Sequence, residues 1–120
     1  MKYSALFLLL FSTLFPLALC ADKTQKENVH TLECNIIEKA NKLIRCTYYT
    51  QRKPDDRNIT FTWRSATTPQ DDREHTGLLK ANHGSLYDYR YYYGRAYGLW
   101  DITVTDDEDN VLSTTSFTVK

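Results

Sequence analysis

Leu32-Glu33-Cys34-Asn35-Ile36 and Leu43-Ile44-Arg45-Cys46-Thr47-Tyr48-Tyr49-Thr50, joined across Glu38-Lys39-Ala40-Asn41-Lys42, decide the fold. Leu32, Cys34 and Ile36 alternate with polar residues, and so do Ile44, Cys46 and Tyr48. A period of two is the mark of a half-buried strand. A three-residue loop centred on Ala40, with Asn41 suited to a positive φ, closes the two into a hairpin. In that register Cys34 faces Cys46, Ile36 faces Ile44 and Leu32 faces Tyr48. All three pairs share one face, and the two thiols arrive opposite each other. Non-hydrogen-bonded antiparallel pairs bring Cβ atoms nearly as close as a disulfide requires. A Cys34–Cys46 bridge is therefore expected.

The same grammar continues outward. Gln51 to Asn58 is a polar loop around Pro54-Asp55. Ile59, Phe61 and Trp63 alternate against Thr60, Thr62 and Arg64, giving a strand with an aromatic face. Ser65 to Glu74 reads as a long connection, His75 to Ala81 as a short strand, and Asn82 to Ser85 as a turn. Leu86 to Tyr93 is a strand with Tyr87, Tyr89, Tyr91 and Tyr93 on one face and Asp88, Arg90 and Tyr92 on the other. Trp100, Ile102 and Val104 mark the next strand, and Asp106 to Asn110 is an acidic turn. On the return strand, Val111 to Val119, Leu112 and Phe117 can both face the core only if one residue bulges; Thr114 or Thr115 is the expected place. No convincing helical period follows residue 20. The expected fold is all-β: an antiparallel immunoglobulin-like β-sandwich of about seven strands with one disulfide, over residues 29–120.

The start of the chain reads as an address. Lys2 precedes the apolar run Ala5 to Phe15, Pro16 breaks it, and Ala18 and Cys20 place small residues before a cut at Ala21. Residues 1–20 are thus expected to be a cleaved signal peptide and 21–28 a polar, flexible lead-in. The apolar run is short for a membrane span of about 20 residues. A rival reading keeps Cys20 as a lipidated residue, although Leu19 is large for such a site. Without Cys20, the remaining pair Cys34 and Cys46 suits an oxidising compartment, periplasmic or extracellular.

Composition narrows the function. The 120 residues carry 15 Lys+Arg and 15 Asp+Glu, a formal charge of zero. A nucleic-acid binder needs a basic surplus against phosphates, so that class is excluded. With an apolar fraction of 42%, the chain is an ordinary globular one rather than a disordered one.

The run Gly98-Leu99-Trp100-Asp101-Ile102-Thr103-Val104, then Asn110-Val111-Leu112 and Ser116-Phe117-Thr118-Val119, resembles the closing hairpin of small exported bacterial β-sandwich domains of unknown function. The likeness is good over residues 98–119 and loose over 59–97. Those domains usually carry Gly in the turn, where this chain has Asp106-Asp107-Glu108-Asp109. The resemblance implies an immunoglobulin-like fold and an envelope setting. It implies no catalytic residue.

Candidate chemistry is sparse. His30, His75 and His83 sit in separate segments, and no nucleophile elbow, zinc-protease helix or phosphate loop occurs. The acidic tip lacks the spacing and the glycine of a calcium loop and reads as a solvated turn. Asn58-Ile59-Thr60 fits a glycosylation sequon, relevant only in a eukaryotic secretory route. The tyrosine belt carries the functional expectation. Tyr and Arg are enriched at binding surfaces because they combine area, a polar handle and little entropy loss. The odd-numbered tyrosines are expected to pave the core, leaving Arg90, Tyr92, Arg95 and Tyr97 as the contact face. The chain is then a non-catalytic exported module that binds an envelope or extracellular protein. Alternatives are a module for cell-wall glycan and an inhibitor of an extracellular enzyme. No cofactor, metal or transmembrane segment after signal cleavage is expected.

Overall fold

The computed structural model describes residues 29–120; the expected signal peptide (1–20) and lead-in (21–28) lie outside the described residues. Seven strands follow one another: β1 (Thr31–Ile37), β2 (Leu43–Tyr49), β3 (Arg57–Ser65), β4 (Arg73–Leu79), β5 (Ser85–Tyr91), β6 (Gly98–Thr105) and β7 (Val111–Val119). A single 3-10 turn, Pro69–Asp71, interrupts the β3–β4 connection. The strands form two antiparallel sheets, ordered β1-β2-β5 and β4-β3-β6-β7. This is an immunoglobulin-like sandwich in which the fourth strand pairs with the third.

The opening hairpin has the expected register. Cys34 pairs with Cys46, Ile36 with Ile44 and Leu32 with Tyr48. The two cysteines form a disulfide between adjacent strands, with Cα atoms 4.0 Å apart. The loop differs in detail: five residues separate the strands, and Asn41 does not take a positive φ. The longer loop makes the turn without left-handed backbone. Asn82 and Asp109 take it instead, at φ 67° and 63°, in the two turns that flank β4–β5 and β6–β7.

The core is where the inner faces meet. Ile59, Phe61 and Trp63 from β3 and Trp100, Ile102 and Val104 from β6 are at most 1% exposed. Ile44, Cys46 and Tyr48 of β2 oppose them from the smaller sheet. Phe117 stacks on Trp100 with ring centroids 6.4 Å apart and meets Trp63 edge-on at 6.2 Å. Each such side chain contributes about 1.5–3 kcal/mol by leaving water. Gly77, opposite Ile59 on β4, lets Leu86 of β5 approach: a Cβ there would lie 3.2 Å from its Cδ2.

The bulge required on β7 exists, but at a different residue. Val104 pairs with Ser113 and Thr105 with Val111, so Leu112 is the extra residue. Thr114 and Thr115 stay in the ladder, paired with Thr103 and Ile102. The distortion sits beside the acidic turn, where fewer ladder bonds must be disturbed. It returns Leu112 to the side on which Ser113, Thr115, Phe117 and Val119 already lie.

Replacing both cysteines by serine is expected to lower unfolding stability by about 3 kcal/mol, the chain-entropy value for so short a loop. Urea denaturation of the double variant beside the wild type measures it.

Candidate functional site

β5 is one of the two edge strands of the three-stranded sheet, and its two faces are the reverse of what its composition suggests. Asp88 and Arg90 point inward and are 5% and 9% exposed. Tyr87, Tyr89 and Tyr91 point outward at 56%, 44% and 53% exposure. The expectation that the odd-numbered tyrosines pave the core is thereby corrected, as is the placing of Arg90 and Tyr92 on an open face.

The physical reason is a set of partners that the inward charges find. Asp88 accepts a hydrogen bond from the indole N–H of Trp63 at 2.8 Å and two from an Arg73 nitrogen, each at 2.8 Å. His75 Nδ1 lies 3.4 Å away. Arg73 and His75 come from β4, at the register positions opposite Trp63 and Phe61. Arg90 places its guanidinium over both core tryptophans, 5.7 Å from Trp63 and 5.5 Å from Trp100. It donates to the backbone carbonyl and the carboxylate of Asp71 at 2.7 and 3.1 Å. Burial, with the neighbouring Arg95 charge, pulls the Arg90 guanidinium below its ordinary value, and Asp71 opposes that pull. Asp71 also receives the Ala96 N–H and lies 3.5 Å from Arg95. The open side of the sandwich between β4 and β5 is thus closed by ions and indoles. Buried charges persist only when paired and hydrogen-bonded in this way.

The other two residues of the expected contact face divide. Arg95 is mostly covered by its place beside Asp71, whereas Tyr97 is 73% exposed. Tyr92 packs against the core, with the Lys42 ammonium 4.3 Å from its ring and its hydroxyl accepting the Lys120 N–H. The four residues do not form one accessible surface.

The surface that the structure does bring together is the outer face of β2 and β5. Tyr91 lies across from Leu43, Tyr89 from Arg45 and Tyr87 from Thr47. Arg45 sits 5.6 Å from the Tyr87 ring centroid, and Lys42 5.9 Å from that of Tyr93. The Tyr89 and Tyr91 rings meet edge to face, 6.2 Å apart at 86°. Asn41, Lys42, Tyr91 and Tyr93 line a hollow at one end of the row. Tyr93 is 71% exposed.

A second concave feature lies at the other end of β2. There Tyr48 sends its hydroxyl to within 2.7 Å of His30 Nδ1, and the Thr50 hydroxyl lies 3.2 Å from the same nitrogen. Burial, then the Lys53 and Arg57 charges, holds His30 below its ordinary value of 6.5. Burial raises the Tyr48 phenol. The acidic turn faces this site as a closed Asx-type turn: Asp106 accepts from the Glu108 and Asn110 N–H groups and from the Asn110 side chain. Those bonds, from Asn110 first, hold its carboxyl below the usual carboxylate value. Asn58 of the sequon is exposed on β3.

No family model matches the sequence, and no curated protein does. Among solved structures, a β-glucosidase from Kluyveromyces marxianus superposes with a TM-score of 0.44 at 10% identity, over 76% of this chain and 14% of that one. A glycoside hydrolase family 3 β-glucosidase from Bifidobacterium adolescentis gives 0.38 at 10% identity, over 75% and 17%. The chain thus spans a small part of those enzymes' length, and at these scores the likeness supports no functional reading.

Two outcomes follow from this geometry. Asp88→Ala strands the Trp63 N–H and the Arg73 charge, and is expected to cost about 3 kcal/mol in chemical denaturation. His30 has a lowered folded value, so below pH 6.5 the unfolded chain takes up its proton first. The stability conferred by neutral His30 is complete above that pH and is lost as pH falls through the folded value. Melting scans between pH 7.5 and 5 should therefore show a smaller acid-induced drop in His30→Asn than in the wild type.

Proposed function

We propose that this chain is a non-catalytic, exported binding module whose contact surface is the outer face of β2 and β5. The observation that carries the reading is the exposure of Tyr87, Tyr89 and Tyr91 in one row on a well-packed strand. Their hydroxyl and ring surfaces take no part in the core, and an isolated exposed apolar residue is ordinary whereas a contiguous aromatic row is not. Successive members of the row are two residues apart, about 7 Å along the strand backbone, and the Tyr89 and Tyr91 rings meet at 6.2 Å. They form a strip with Arg45 and Lys42 along it, the aromatic-plus-cation chemistry that dominates protein interfaces.

A protein with an acidic and apolar surface is the favoured partner. The edge-to-face setting of Tyr89 and Tyr91 supports this over a glycan, because sugar rings stack best on aromatic faces lying side by side. The Cys34–Cys46 bridge supports an oxidising destination, envelope or extracellular, as does the leader-like start of the sequence.

The test is capture by the purified protein beside its Tyr87→Ser/Tyr89→Ser/Tyr91→Ser variant, offered envelope or extracellular extract and, separately, insoluble wall glycan. The captured protein is then purified and its affinity for both forms measured. Binding is expected to be lost in the variant, with folding stability unchanged within about 0.5 kcal/mol, as for exposed positions. Retention on glycan without protein capture would replace the protein partner by a carbohydrate. Equal capture by both forms would overturn the proposed surface.

A further inference from the structure

The cleft at the His30 end of the sandwich has a volume of about 360 Å³, within the range of small-ligand sites. It is lined by Tyr48, Ile59 and Leu112, by Lys53 and Arg57 from the β2–β3 loop and the start of β3, and by Asp106, Asp107 and Glu108 from the β6–β7 turn. We propose that this cleft binds a small zwitterion, a molecule carrying both a carboxylate and an ammonium group, as a free amino acid does.

The charges are the argument. Two cations and three carboxylates share one cleft, yet among the described residues none of the five ion pairs joins them. Opposite charges on flexible side chains would otherwise close on each other. Here two of them are held. The Arg57 guanidinium donates to the carbonyls of Gln51 and His83, at 3.1 and 3.5 Å. The Asp106 carboxylate is occupied inside its own turn. Arg57 and Asp106 are thus each engaged with backbone groups and not with each other.

The lining also selects. A lone anion would meet the Lys53–Arg57 side favourably and three carboxylates unfavourably; a lone cation meets the reverse conflict. A ligand with both charges satisfies both sets of groups. The side chains sum to one excess negative charge, three carboxylates against two cations. An amino acid with an additional positive charge is therefore preferred, lysine over glutamate. His30 and Tyr48 both line the cleft and are bonded to each other, and the Tyr48 oxygen keeps acceptor capacity beyond that bond.

The site is separate from the tyrosine row. It adjoins Tyr48, whereas the row runs from Tyr87, opposite Thr47, toward Tyr91, opposite Leu43. The tyrosine variant thus leaves it intact, and either proposal can fail alone.

The experiment is an NMR titration of the purified protein with L-lysine, L-glutamate and Nα-acetyl-lysine amide, repeated with Lys53→Gln and Glu108→Gln. Both substituted residues are exposed, so folding is expected to persist, and the amide spectrum verifies it. Saturable shifts at Tyr48, Asn58 and Glu108 are expected with lysine, weaker ones with glutamate. Each variant is expected to bind lysine about tenfold more weakly, the effect of one lost charge-assisted hydrogen bond. The absence of saturable shifts would overturn the proposal. So would equal binding of the acetylated amide, which would make the site one for a lone cation, or unchanged affinity in both variants.

Discussion

Asp88 is the point on which the two sheets are fastened. Its carboxylate belongs to the smaller sheet, and its partners, the Trp63 indole and the Arg73 guanidinium, belong to the larger one. A hydrophobic core alone is indifferent to modest sliding of one sheet over another. A buried acceptor with an indole donor and a guanidinium is not, because a shift leaves all of them unpaired in a low dielectric. Arg90, two residues on, repeats the arrangement with Asp71 and with the faces of both tryptophans. The inward facing of this alternate set in β5 sends the tyrosines outward. The exposure of the aromatic row is thus a consequence of the ionic fastening inside.

Much of the architecture was legible from residue order. The Cys34–Cys46 hairpin could be registered because an internal check existed: one choice of centre aligned two thiols and two apolar pairs at once. Trp100, Ile102 and Val104 were legible because their alternation is clean and their intervening residues are polar. The need for a bulge on β7 followed from the odd spacing of Leu112 and Phe117. Its position did not, since one extra residue anywhere from Leu112 up to Phe117 satisfies the parity, and the structure puts it at Leu112 itself.

β5 shows where such reading fails. Alternation separates its residues into two sets but does not say which set is buried. Burying tyrosine rings and exposing Asp88 and Arg90 is the cheaper choice when each residue is considered alone. The actual choice depends on Trp63, Arg73, Asp71 and Trp100, which lie on other strands and come together only after folding. The pairing of Asp88 beside Cys46 would have revealed it, because neighbours in register share a face and Cys46 faces inward. That pairing joins strands separated by two others in the chain, and no local signal specifies it.

The fastening has a further effect at the margin of the molecule. β4 and β5 each end a sheet, and such strands present unpaired backbone groups to any passing chain. Here the margin carries Arg73, His75, Asp88 and Arg90, and Arg73 also donates to the β5 carbonyl of Tyr89. A foreign strand attempting to extend the smaller sheet would have to displace that guanidinium and slide along a line of fixed charge. The same residues that lock the sandwich therefore guard this margin, the β4–β5 side, against strand-by-strand extension. They leave the tyrosine row approachable broadside, across the face of the sheet, rather than end to end along its rim.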